Sequence, residues 1–321
     1  MDPLTHGLVG AAISAFSGNP VALDNPLAIG AILGAMSPDL DFVVKLFKDD
    51  AKYLEHHRGA THTLPYLIGF SVVIATALSI MPFHEFSFIQ ILLWTFLGAL
   101  SHTGLDIMNS YGAKLLKKKL KLSILTLYDP VITLVGFHLI LNRSNYWMDY
   151  VGSIVLVGAY LYLRYTMKRI AEQHLSKYFA NKHKHKYVSI HVIPALKAFY
   201  KWDFVVHTDT HDYVGQYNSW CSLVSGCPVI KVTNTFEINE PIYTNFFRTT
   251  PIGEKFSTFS PNLHVKVIPS EVEGQITLRI VDLRYYIKKD FLHQATLVID
   301  QEFNIISSFL HPYSLSKAIP I

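Results

Sequence analysis

Residues 64–82 read LPYLIGFSVVIATALSIMP, without one charged side chain. Their length matches the ~20 apolar residues that a helix needs to cross a hydrocarbon layer of roughly 30 Å, so the stretch predicts a membrane span. The composition around it agrees, because 50% of the 321 residues are hydrophobic and only 16% are charged. Soluble globular domains rarely show that balance. Residues 86–108 predict a second span, and residues 123–141 and 150–165 predict shorter ones. Residues 8–16 and 26–36 are shorter again, separated by turn signals at Gly18-Asn19-Pro20 and Asp24-Asn25-Pro26. They read as short helices inside a bundle or as a hairpin dipping in from one face, and either returns the chain to its starting side.

The formal net charge is +4, but the placement of the charges says more than their sum. Short loops rich in Lys and Arg stay cytoplasmic. Lys45, Lys48, Lys52 and Arg58 mark one such loop, and Lys114, Lys117, Lys118, Lys119 and Lys121 mark another. The turns at 18–25, 84–85 and 141–150 carry almost no basic residues and are expected outside. Lys168, Arg169, Lys177, Lys182, Lys184 and Lys186 then hold the remainder inside. The N-terminus lacks the basic region of a cleaved signal peptide and is expected to be retained. Cys221 and Cys227 fall in the cytoplasmic part, where thiols are expected rather than a disulfide.

Small residues recur three or four apart at Gly7, Gly10, Ala11, Gly30, Gly34, Ala35, Gly98 and Ala99, the spacing that lets membrane helices approach closely. Beyond residue 167 the pattern changes. Residues 167–185 are charged and free of Gly and Pro, as a helix leaving the bilayer would be. Runs at 187–193, 203–207, 229–232, 263–268, 275–281, 295–299 and 304–310 are β-branched and aromatic, broken by turn formers. The expected fold class is therefore α+β, with a multi-pass transmembrane helical bundle over residues 1–166. A linker helix over 167–186 and a cytoplasmic β-rich domain over 187–321 follow it.

The chemistry sits in polar clusters that interrupt the apolar half at what the topology makes one membrane face. Imidazoles and carboxylates beside hydrocarbon are costly unless they pair or bind something. His102 and Asp106 stand four apart, one helical turn from each other on one face. His57 and His62, five apart, would splay by about 140° on a helix and converge more easily from a turn. Asp39 and Asp41 flank Leu40 after Pro38, in a turn that can offer both carboxylates to one hard or borderline ion. Asp2 with His6, His56, and Asp129 complete the set, although Asp2-Pro3 and Asp129-Pro130 also fit helix capping. By contrast, residues 207–212 (HTDTHD) read as a solvated turn, and Trp202, Tyr213, Tyr217 and Trp220 as β-core residues. No nucleic-acid-binding motif accompanies them.

In order, the motifs are Asp2-Pro3-Leu4-Thr5-His6, Pro38-Asp39-Leu40-Asp41, residues 57–62 (HRGATH) and Ser101-His102-Thr103-Gly104-Leu105-Asp106, followed by Tyr111-Gly112. Residues 1–141 thereby resemble bacterial and archaeal membrane-bound metal-dependent hydrolases. Thr63 and Asn109-Ser110 depart from that pattern without touching a ligand position. The resemblance implies hydrolysis by a metal-activated water, whereas the residues by themselves imply cation binding. Together they assign His6, Asp39, His57, His62, His102 and Asp106 as ligands of one or two divalent ions, with zinc foremost and manganese the alternative. Asp41 is expected as general base or bridging carboxylate and Arg58 as a clamp on an anionic substrate. A site opening at the cytoplasmic interface suits a lipid or phosphoester substrate, with membrane lipids as surroundings. A divalent-cation transporter and a non-catalytic scaffold with a structural metal stand as rival classes.

Overall fold

Proline placement and capping set most helix starts. The structure is a computed structural model that describes the chain except residues 1, 42–59, 82–85, 117, 143–145, 184–186, 197, 222–228, 239–240, 271, 285, 288–289, 312–314, 317 and 321. Helix α1 (Pro3–Ala15) begins behind the Asp2 N-cap and α2 (Pro26–Met36) behind Asn25. Short 3-10 turns follow at Ser37–Asp41 and Ala60–His62. Helix α3 (Leu64–Ile80) carries its proline in the first turn, and α4 (Phe88–Met108) opens with a capping box between Ser87 and Gln90. Helix α5 (Pro130–Leu141) starts behind Asp129, and α6 (Trp147–His183) has 37 residues. In each Pro-started helix the missing N–H is one that has no intrahelical partner anyway.

The described residues divide into two compact units. One draws on the described residues of 1–41, 60–169 and 194–199, the other on those of 170–193 and 200–321. In the first unit α4 packs against α2, α3 and α1, and a small apolar core of Leu27, Ala75, Leu78 and Ile91 joins α2, α3 and α4. The small residues act as the sequence predicts. A Cβ added at Gly34 would strike the Thr95 carbonyl oxygen, and one added at Gly98 would strike the Ala31 carbonyl oxygen, so α2 and α4 run at backbone contact. Such closeness is what small residues permit in helix pairs.

Helix length corrects the expectation of several spans. Among the described residues α4 alone is long and apolar enough to cross a bilayer. Helix α3 stops at Ile80 after 17 residues, about 26 Å at 1.5 Å per residue. Met81 lengthened the apolar run in sequence but only caps the helix. Helices α1, α2 and α5 have 13, 11 and 12 residues. Residues 150–165 and 167–183 share one uninterrupted helix, α6.

The second unit is built on two antiparallel sheets. Strands β1 (Tyr187–Pro194), β2 (Lys201–Thr208), β3 (His211–Asn218) and β4 (Val229–Glu237) form a sheet in that order. Helices α7 (Pro241–Thr249) and α8 (Pro251–Phe259) follow, which the sequence reading did not anticipate. Then come β5 (Leu263–Pro269), β6 (Gln275–Asp282), the short pair β7 (Tyr286–Ile287) and β8 (Asp290–Phe291), β9 (Gln294–Asp300), β10 (Ile305–His311) and β11 (Ile319–Pro320). The larger sheet runs in the order β11-β10-β9-β6-β5. Phe247, Ile252 and Phe256 of α7 and α8 pack on its Leu278, Ile280, Leu297, Ile299 and Leu310. That contact explains the helices, since a sheet face lined with β-branched and leucyl side chains needs a cover.

Strand β3 was missed because its polar start, His211-Asp212, looked like turn sequence. The turn is confined to Asp209-Thr210, and Asp212 is buried rather than solvated. Trp202, Tyr213 and Tyr217 lie in the core as expected, whereas Trp220 is exposed.

Candidate metal centre

Side chains from separate segments of the first unit converge at one buried point. Asp39 comes from the 3-10 turn that prolongs α2, His62 from the turn that precedes α3, and His102 and Asp106 from successive turns of α4. One potential ligand atom from each lies within 4.8 Å of all the others. His62 Nε2 stands 3.2 Å from His102 Nε2 and 3.4 Å from Asp106 Oδ2. His102 Nε2 lies 3.4 Å from Asp39 Oδ1 and 3.7 Å from Asp106 Oδ2, while His62 Nε2 lies 4.0 Å from Asp39 Oδ1. His6, one turn into α1, stacks on His102 with ring centroids 3.7 Å apart, and its Nε2 is 3.4 Å from Asp106 Oδ1. His6, His62, His102 and Asp106 are each 0% exposed, and the Asp39 side chain is 20% exposed.

Local sequence explains how the imidazoles are aimed. The Ala35 carbonyl lies in the last turn of α2, where helix carbonyls lack intrahelical partners, and Pro38 three residues on has no N–H to offer it. His102 Nδ1 lies 2.6 Å from that oxygen and must donate to it, which leaves the Nε2 lone pair facing the cluster. The bond depends on the backbone contact between α2 and α4. His62 Nδ1 is 3.1 Å from Thr61 Oγ1, so its Nε2 is likewise turned inward. Asn109 Nδ2 donates to Asp106 Oδ1 at 2.8 Å, and Asn109 Oδ1 accepts from the backbone N–H groups of Tyr111 and Gly112.

A divalent cation fits this donor set. Among the described residues both His6 ring nitrogens and Asp39 Oδ1 are buried without a hydrogen bond. Each such atom costs about 1–3 kcal/mol if nothing meets it. Two inward-facing Nε2 atoms 3.2 Å apart have no proton to share once the Nδ1 atom of each imidazole carries it. Four ligands at about 2.0–2.1 Å from one tetrahedral zinc would stand roughly 3.3 Å from one another, close to the 3.2–3.7 Å separations of His62–His102, His62–Asp106, His102–Asp39 and His102–Asp106. Two carboxylates and neutral imidazoles also supply the charge that balances a 2+ ion. Thiolates are absent from the cluster, which suits zinc or manganese better than a soft ion.

The remaining sequence candidates separate into two groups. His56, His57 and Arg58 lie outside the described residues, as does the Asp41 side chain, although its backbone belongs to the same 3-10 turn as Asp39. Asp2 and Asp129 have capping roles. Asp2 accepts from the Thr5 backbone N–H and hydroxyl. Asp129 accepts from the N–H groups of Val131 and Ile132 and, at 2.8 Å, from the Tyr160 hydroxyl of α6. Both capping roles were legible from the proline that follows each residue.

The Ala35 carbonyl was not singled out in sequence, and Asn109 was noted only as a departure from the family pattern. For Asn109 the signal was its position three residues after Asp106 on one helix face. Asn109→Ala is expected to weaken metal affinity by roughly 10–100-fold, the usual effect of removing a partner that orients a ligand. Chelator-competition titration reads this directly, and unchanged affinity would reduce Asn109 to a turn-former.

Residues 1–171 match the family described as YdjM inner membrane protein, and residues 243–319 match the YfhP C-terminal alpha/beta plait domain. The chain is 27% identical over 329 residues to "Uncharacterized protein YfhP" of Bacillus subtilis (strain 168), spanning 96% of this chain and 94% of that one. No solved structure gives a significant match. The first match takes in the whole metal-site cluster and more than half of the chain, and by it the protein belongs to the YdjM family of inner membrane proteins.

Proposed function

We propose that this protein is a membrane-bound, metal-dependent hydrolase acting at the cytoplasmic interface on a lipid or phosphoester substrate. One observation carries the reading: imidazoles and carboxylates from far-apart segments meet at a buried point with acceptor atoms unspent. In that reading Asp39, His62, His102 and Asp106 hold the ion. His6 buttresses His102 through ring stacking and has its own nitrogens available for a second ion. A bound ion would supply Lewis-acid chemistry and lower the pKa of a water toward neutrality. Asp39, the partly exposed ligand, marks the side by which water and substrate enter. On the sequence motifs alone, His57 joins the ligands, Asp41 takes the proton and Arg58 holds an anionic oxygen.

Exposed apolar side chains support a lipid setting for the helical unit. Val73 and Ile80 on α3, Ile89 and Leu93 on α4, and Ile154 and Val155 on α6 all face outward. Patches of this kind are rare on soluble monomers. A transporter would be expected to line a path with polar groups at several depths, whereas this cluster is compact. A scaffold would share the metal but turn over nothing.

The test is headgroup or phosphate release from phospholipid extracts by the purified protein, with and without chelator. Wild type is expected to release product and to lose that activity on chelation, and Asp39→Asn and Asp41→Asn are expected to be inactive. Release that survives chelation, or that Asp39→Asn retains in full, would overturn the hydrolase reading. Metal binding with no turnover across an esterase and phosphatase panel would favour the scaffold.

A further inference from the structure

A cavity of about 300 Å³ in the second unit gathers charged and polar side chains from strands β1, β2, β3 and β5 and helix α7. At its centre Asp212 bridges two imidazoles. Its Oδ1 lies 2.6 Å from His207 Nδ1 and its Oδ2 lies 2.7 Å from His264 Nδ1. Burial works against ionising Asp212, but the hydrogen bonds from His207 and His264 outweigh it and hold the carboxyl below its usual range. An ionised carboxylate so close to both Nδ1 atoms requires each to carry a proton, so both Nε2 atoms are left for another partner. Asp212 and His264 are both buried, at 3% and 5% exposure.

The rest of the wall points to an anion. Among the described residues Asp212 is the only carboxylate lining the cavity, and its oxygens are committed to the two histidines. Arg248 on α7 lines the same cavity, is exposed, and makes no hydrogen bond or ion pair among the described residues. His191 of β1 stands beside His207, with ring centroids 6.0 Å apart. Asn262 is 1% exposed, and neither its side-chain nitrogen nor its oxygen has a hydrogen-bond partner among the described residues. A buried amide facing no partner is a place where a ligand group is missing rather than a packing choice. The guanidinium fork and imidazoles that donate once protonated are the groups that hold phosphate oxygens.

We propose that this cavity is a binding site for a small soluble phosphate-bearing molecule, with Arg248 and the Nε2 atoms of His207 and His264 on the phosphate and Asp212 positioning both imidazoles. The site is separate from the metal-site cluster, so its fate does not decide the proposed hydrolysis.

The experiment is calorimetric titration of inorganic phosphate into the detergent-solubilised full-length protein, treated with chelator beforehand. Saturable 1:1 binding is expected. Arg248→Ala, at an exposed position, should melt like wild type yet bind phosphate roughly tenfold more weakly or worse, the scale of one charge-assisted contact. His102→Ala, altered only in the metal-site cluster, should bind phosphate as wild type does. Absence of saturable binding, equal affinity in Arg248→Ala, or loss of binding in His102→Ala would each overturn the proposal. In that event the His207–Asp212–His264 network serves only to join strands.

Discussion

His102→Ala, purified beside wild type, is expected to retain less than about a tenth of the wild-type metal. Removing a partner that merely orients a ligand already costs roughly 10–100-fold in affinity, and His102 is a ligand in this account. Its Nε2 is the atom closest to both His62 and Asp39, so no other side chain in the cluster replaces it. The same change removes the stacking partner of His6 and frees the Ala35 carbonyl. Elemental analysis gives the metal content, and circular dichroism in detergent checks that helix content is kept. A second variant guards against a folding artefact. His102→Gln keeps a polar side chain of similar reach and should also lose metal, because an amide is a poor substitute for an imidazole. Stoichiometric metal in either variant would remove His102 from the ligand set.

Gly98→Val is expected to destabilise the helical unit by about 3 kcal/mol or more, at or beyond the upper end of overpacking in a well-fitted core. The added side chain would meet the Ala31 carbonyl oxygen, carbon and Cα, which are backbone atoms and cannot rotate away. Helix α2 must then move off α4, and the Ala35 carbonyl moves with it. Metal affinity should therefore fall together with stability, although residue 98 is not itself a ligand. Gly69→Ala is the control, since a Cβ there meets nothing within 4 Å and the helix gains propensity. Thermal melts in detergent, with metal content measured on the same samples, check both effects. A Gly98→Val protein that melts and binds metal like wild type would contradict the close-packing account.

These two predictions mark what sequence alone could and could not give. The four-residue spacing of His102 and Asp106 placed both on one helix face, and the Pro-Asp-x-Asp turn was visible as a turn, because each depends on neighbours in the chain. The proline-led caps of α1 and α5 were visible for the same reason. By contrast, the Ala35 carbonyl that orients His102 is 67 residues away and is a backbone atom, so no residue type announces it. The pairing of Asp212 with His264 spans 52 residues and turns what reads as a solvated turn into a buried network. Apolar run length overstated the span of α3, because hydropathy counts Met81 while the helix ends at Ile80 and Met81 only caps it. Helices α7 and α8 escaped notice because their length of 9 residues each gives too few turns for a clear 3.6-residue period.

The most direct test of the central claim is X-ray absorption at the metal edge of the full-length protein, purified in detergent and reconstituted with zinc. The account predicts tightly bound zinc in a coordination shell of nitrogen and oxygen at about 2.0–2.2 Å, with imidazole outer-shell scattering and no sulfur. A spectrum of hexa-aqua zinc, a sulfur shell, or no zinc retained after desalting would contradict it.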